Sequence, residues 1–417
     1  MKILVVGGGG REHGICLALS KSHAVQKIYA APGNGGMGKI ATCVNINSMD
    51  FDGLIAFAKK EGIDLTICPM DGTLVAGIVD AFEGAGLSVF GPDKKAAQIE
   101  GSKIFAKDFM KKYNIPTAEY ATFESYEAAK SYVATAKHPL VIKADGLAAG
   151  KGVIISDDVA TSNEALHQMF NEAIFGTSGE KVVIEEFMTG PECSVLCFCD
   201  GKTIIPMVSA KDHKAAYDGD KGPNTGGMGV IAPNPYYTQQ DADETMEKIL
   251  IPTMKGFEAE GINFVGVLFL GLMMTTDGVK VIEYNCRPGD PETQTVLPLL
   301  DADLLDIITA CMNGELHKVN IKWKKGAVCN VVAASGGYPG DYKTGLPISG
   351  LDNLPAGVHI IHAGTKKSDG ALLTNGGRVL NIIAQGDTLE NAHKLAYEAV
   401  QNVQFEGIYY RKDIGKI

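Results

Sequence analysis

The residues carrying the most chemistry in the shortest span are Glu283-Tyr284-Asn285-Cys286-Arg287. On an extended strand, positions i, i+2 and i+4 share a face at roughly 6.5–7 Å intervals, so this run sets a carboxylate, an amide oxygen and a guanidinium side by side. Hard oxygens from Glu283 and Asn285 suit Mg²⁺ or Mn²⁺, with waters and nucleotide phosphates as the other ligands. Arg287 is suited to stabilising a phosphoryl group in transfer. An edge strand with a solvated polar face fits the same run. Asp290-Pro291-Glu292 adds two carboxylates on a loop, suited to a cationic amine. Asp212-His213-Lys214 is a further charged cluster, and Asn224-Thr225-Gly226-Gly227-Met228-Gly229 a turn whose amides can face a substrate. His213 beside an aspartate reads as a structural donor before a general base.

Two glycine loops could hold phosphates. Asp145-Gly146-Leu147-Ala148-Ala149-Gly150-Lys151-Gly152 resembles a P-loop, but it is one residue short between its glycines and has Gly152 where a Ser or Thr would ligate Mg²⁺. A strand follows it, which excludes a Walker A arrangement and suggests a flap closing over phosphates, with Lys143 on the preceding strand as a point charge. A glycine-rich hairpin with a solvated lysine is the plainer alternative. Gly7-Gly8-Gly9-Gly10-Arg11-Glu12-His13 fails the dinucleotide fingerprint, and no acidic residue ends the next strand, so NAD is disfavoured. This loop opens a helix, where free N–H groups and Arg11 can hold a phosphate or carboxylate, or where the glycines only permit a tight turn. Glu185-Glu186-Phe187-Met188 at a strand end can offer backbone groups to an adenine edge while Phe187 and Met188 cover its face; Glu192 is placed for ribose hydroxyls.

These groups need a scaffold of several units. The chain has 417 residues, enough for about two to four domains. Its 45% hydrophobic and 21% charged content is ordinary for globular proteins, which argues against global disorder. A net charge of −11 without basic runs disfavours nucleic acid and anionic membrane as partners. The longest apolar run, Val265 to Met274, is far short of a membrane span, and no secretory leader is evident, so a cytoplasmic location is expected. Nine scattered cysteines read as reduced. Short β-rich runs alternate with helical stretches through residue 90, predicting a doubly wound parallel sheet over 1–100. Residues 101–325 follow as a central region containing a small α+β flap unit at about 117–190. The polar run Lys322 to Gly326 reads as a linker to a mixed α/β domain over 326–417.

Together the segments resemble the ATP-grasp superfamily and, within it, the phosphoribosylamine–glycine ligase family (glycinamide ribonucleotide synthetases). The resemblance rests on Gly9 to His13, Pro32-Gly33-Asn34, Gly101-Ser102-Lys103, Lys143 to Gly152, Gly222 to Gly229, Gly289 to Gln294, His362 to Thr365, Thr374 to Val379 and Tyr410 to Gly415, in order along the whole chain. It implies an α/β ATP-grasp fold and ATP-dependent joining of glycine to 5-phosphoribosylamine through a glycyl phosphate, with a monomer as the expected state. By matching positions it implies Lys103, Lys143, Gly150, Lys151 and Gly152 on the nucleotide phosphates, Glu185, Glu186, Phe187 and Met188 on adenine, Glu192 on ribose, and Glu283 with Asn285 on the metal. Arg287, Asp212 and Asp290 are implied as catalytic. Gly9, Arg11, Glu12, Asn34, Asn224, Thr225, Gly226 and Glu292 are implied on the substrates. The chain departs from the family pattern at Ala215, Pro288 and Pro69 to Thr73, and it lacks an acidic metal ligand on Val265–Met274.

Overall fold

The computed structural model describes every residue except 149–151, 173, 353 and 417. Gly150 and Lys151, two of the residues expected on phosphate, therefore lie outside the described residues.

The N-terminal sheet is all parallel, in the order Thr42–Cys43, Lys27–Pro32, Lys2–Gly7, Leu65–Ile67, Val89–Phe90. Ile3, Leu4, Val5 and Val6 are all buried, as a strand covered on both faces requires. Both N-terminal glycine loops lie at the carboxyl ends of neighbouring strands, where ligands of such sheets bind. They touch each other: a Cβ on Gly8 would sit 2.3 Å from the Gly33 carbonyl oxygen. Two short helices, Asp71–Ala76 and Ile78–Gly84, follow Leu65–Ile67 in place of one, because Gly77 turns left-handed with φ +94°. Beyond Val89–Phe90 come two further helices, Gln98–Gly101 and Lys103–Lys112. Ser102 caps the second piece by accepting from the Phe105 N–H, which places Lys103 at its first position.

The flap unit is an antiparallel sheet ordered Tyr120–Phe123, Val182–Glu186, Leu140–Ala144, Val153–Ser156, backed by helices Tyr126–Val133 and Val159–Phe170. A second antiparallel sheet runs Ile204–Pro206, Glu192–Asp200, Val265–Thr275, Gly278–Asn285. A third joins Lys211–Asp212 and Gly229–Ala232 to Ala327–Ala334, Arg378–Gly386 and Val358–His362. This last sheet crosses the boundary expected at 325/326, since two of its strands come from the central region. The stretch 322–326 is also not a free linker. Trp323 bridges to Leu300 and the Lys324 N–H donates to the Leu299 carbonyl, because the indole finds apolar cover. All nine cysteines are free thiols, eight of them buried. No described helix is long and apolar enough to cross a membrane.

Candidate active site

The strand Gly278–Asn285 carries the Glu283 cluster, and its register decides which way that cluster points. Val279 and Val281 are buried in the core, so an unbroken alternation would send Glu283 and Asn285 into the core as well. Opposite, Leu272 pairs with Val281 and Gly271 with Glu283, leaving Ile282 as an extra residue. This bulge switches the phase. Tyr284 and Cys286 become the buried pair, while Glu283 and Asn285 line a cleft of about 440 Å³ between the flap sheet and the second sheet. Arg287 lies beyond the strand end but lines the same cleft, donating to the Asn285 Oδ1 at 3.1 Å. On the facing strand Phe269, Gly271 and Met273 point into the cleft, and none of them is acidic.

Four cations surround Glu283. Burial pushes its carboxyl pKa up, but Lys143, Lys214, Lys103 and Arg287 outweigh it and hold the group below its ordinary value. No ion pair within 4.0 Å occupies the Glu283 oxygens among the described residues. An anionic oxygen donor free of a direct partner, beside an amide oxygen, fits a hard divalent cation. The described residues contain no group of three or more His, Cys, Asp or Glu that could hold a metal by themselves. Lys103 lies at a helix start with its ammonium donating to the Gly146 carbonyl (2.9 Å), its pKa lowered by burial against the pull of Glu283. Gly152 and Lys143 line the adjoining cavity of about 150 Å³.

Strand Val182–Glu186 separates its two terminal glutamates by the usual alternation. Glu185 points inward and is shared by Lys143 (2.8 Å) and Lys107 (3.2 Å). Glu186 is exposed and pairs with Lys280 at 3.4 Å. Phe187 and Met188 line the cleft, with Phe187 38% exposed. Glu192 lines it too, paired with Lys214 at 2.8 Å.

Asp212, Asp290 and Glu292 also line the cleft, with Asn224, Thr225, Gly226, Arg11 and Arg378. Burial, followed by the charge of Glu292, raises the Asp212 pKa against the pull of Lys214 and Arg378. Burial works the same way on Asp290, but Arg378 and Arg11 outweigh it and keep this pKa low. Glu292 accepts from the Ser194 hydroxyl at 3.1 Å. Gly227 needs its positive φ of +113° here, and a Cβ on it would stand 2.6 Å from the Asp212 Oδ1.

Three residues expected on substrate do not line the cleft. Glu12 is 1% exposed, with one oxygen accepting from the Gly9 N–H (2.6 Å) and the other paired with Arg11 (2.6 Å). It caps the helix and aims Arg11. Gly9 is part of that cap. Asn34 donates to the Gly8 and His362 carbonyls (2.9 and 2.8 Å) and accepts from the Gly36 N–H, so its side chain staples two loops. His213 is structural: its Nδ1 lies 3.1 Å from the Gly229 carbonyl and burial lowers its pKa to about 4.

Sequence reasoning missed Lys107, Glu100 and the role of Arg378. Lys107 lies one helical turn after Lys103, a spacing that was there to read. Glu100 lies 3.1 Å from Arg287 and accepts from the Cys286 N–H. Arg378 reaches in from the third sheet to donate to the carbonyls of Gly226, Gly227 and Asp290.

The chain matches the models of three phosphoribosylglycinamide synthetase domains: the N domain over residues 1–100, the ATP-grasp (A) domain over 101–293 and the C domain over 328–417. A biotin carboxylase domain of Hydrogenobacter thermophilus shares the fold, with a TM-score of 0.76 at 17% identity over 98% of this chain and 91% of that one. Fold and cleft together are those of an ATP-grasp enzyme. Phosphoribosylamine–glycine ligases of Clostridium acetobutylicum and Caldanaerobacter subterraneus are 51% and 50% identical to it, covering 100% and 99% of both chains. The crystal structure of the Thermotoga maritima phosphoribosylamine–glycine ligase superposes with a TM-score of 0.86 at 34% identity, over 99% of this chain and 100% of that one. The chain belongs to the phosphoribosylamine–glycine ligase family.

Proposed function

We propose that this enzyme joins glycine to 5-phosphoribosylamine, converting ATP to ADP and phosphate and yielding glycinamide ribonucleotide. The observation that carries the reading is the charged lining of the cleft and of the cavity beside it. Lys103, Lys143, Arg287 and Glu283 line the adjoining cavity, the last three the cleft as well, while Asp212, Asp290 and Glu292 line the cleft alone. The first set suits a triphosphate and the second an amine-bearing substrate.

The chemistry follows from the substrates. A carboxylate is a poor acyl donor because its leaving group would be an oxide. The γ-phosphoryl group therefore passes from ATP to a glycine carboxylate oxygen, releasing ADP and giving glycyl phosphate. The amine attacks the acyl carbon, and phosphate departs with that carboxylate oxygen. No protein nucleophile is required. Lys103, Lys143 and Gly152 orient the triphosphate, Phe187 and Met188 cover adenine, and Glu192 reaches ribose. Glu283 and Asn285 are the residues that would hold Mg²⁺ or Mn²⁺, which supplies neutralisation of phosphate charge when bound. Arg287 stabilises charge on the transferring group. Asp212, Asp290 and Glu292 orient the amines, and Arg11 with the Asn224–Gly226 turn faces the acceptor. On this reading the enzyme works in the cytoplasm on small molecules.

Phosphate release tests it. With ATP, Mg²⁺, glycine and freshly generated phosphoribosylamine present, release proceeds, and leaving out glycine brings it to background. Release indifferent to glycine rejects the proposal.

A further inference from the structure

Glu185 holds more positive charge than its own neutralisation requires. Lys143 sits 2.8 Å from its Oε1 and Lys107 3.2 Å from its Oε2, with all three side chains at most 5% exposed. A buried carboxylate needs one cation, and a second buried ammonium is an added cost unless another anion comes to meet it. The two lysines are not equivalent. The Lys107 ammonium is tethered, donating to the Thr117 hydroxyl (2.7 Å), which in turn donates to the Val281 carbonyl (2.7 Å). Among the described residues Lys143 has only a 3.4 Å contact to the Ile282 carbonyl besides Glu185, and it alone of the pair lines the main cleft as well as the adjoining cavity.

We propose that Lys107 is a positioning residue, a resident counter-ion that keeps Glu185 neutralised so that Lys143 can leave it for the nucleotide phosphates. Without Lys107, each departure of Lys143 strands a bare carboxylate in the interior, and Lys143 stays where it is. The inference rests on the proposed phosphate role of Lys143.

The environment of Lys107 gives the idea a pH signature. Glu185 and Glu186 face it from one strand, Lys143 from the next, and the Tyr120 ring lies 5.7 Å from its ammonium. Burial lowers its pKa to about 8, although Glu185 pulls the other way. The charge is present below that pH and fades above it, so the KM for ATP rises as the solution passes through about pH 8.

The test is steady-state kinetics on K107M, K107R, K143M and the double variant E185Q/K107M. K107M raises the KM for ATP at least about tenfold, the consequence of leaving a buried charge unpaired, and leaves the KM for glycine unchanged. E185Q suppresses most of that rise, because a neutral amide needs no counter-ion. K107R keeps a low KM, and keeps it above pH 8, because a guanidinium does not titrate there. A K107M enzyme with an unchanged KM for ATP overturns the inference, and so does an equal rise in the E185Q background. K143M separates the two ideas: if it leaves the KM for ATP unaltered, the phosphate role of Lys143 fails, whereas a rise with K143M but not with K107M defeats only the counter-ion role.

Discussion

Replacing Glu283 by alanine lowers turnover by at least about 10²-fold, the scale of losing one preorganised electrostatic partner, while the far-UV circular dichroism stays that of the folded enzyme. The fold survives because the bulge at Ile282 points this side chain into the cleft, so truncating it leaves no hole among packed apolar groups. Turnover does not survive, because the cleft keeps the Asn285 amide oxygen but loses the anionic oxygen donor that sits beside it for the metal. Glu283→Gln keeps the shape and removes the charge, and it fails nearly as badly if the charge matters. Near-normal activity of either variant at limiting Mg²⁺ would refute the assignment of Glu283 as a metal ligand.

Arg287→Met produces two separable losses. Catalysis drops by about 10²–10³-fold if the guanidinium stabilises the transferring group. Stability drops too, by about 3 kcal/mol, because Glu100 is left buried without its cation. That figure is the low end for a broken buried pair, chosen because the Arg287 side chain is 18% exposed. The unpaired carboxyl is a poor guest: burial already raises its pKa against the pull of Arg287. Adding Glu100→Gln to the variant therefore restores the melting temperature without restoring activity. Thermal melts and kcat on the single and double variants check both halves. Recovery of activity together with stability would mean that Arg287 acts only through packing.

The side-by-side placement of Glu283 and Asn285 was readable from period-two spacing, and both do share a face. Which face was not readable, because the strand changes phase at a bulge that only the pairing partner Gly271 reveals. Glu192–Asp200 was overlooked for a related reason. It lies between two other strands and is buried nearly throughout, so its sequence shows no alternation. The glycine loops were legible as strand-end loops, but the hydrogen bonds by which Glu12 and Asn34 fasten them were not. Their side chains cap and staple backbone that a linear reading leaves unpaired. Arg378 was visible within a motif, but its reach to Asp290 depends on a sheet that gathers strands from residues 211 to 386.

Transfer of a labelled oxygen probes the central claim most directly. If ATP activates the carboxyl of glycine within this cleft, glycine carrying ¹⁸O in its carboxylate delivers one labelled oxygen to each phosphate released, as mass spectrometry of that phosphate would record. Phosphate formed during turnover with no label from glycine would contradict the account.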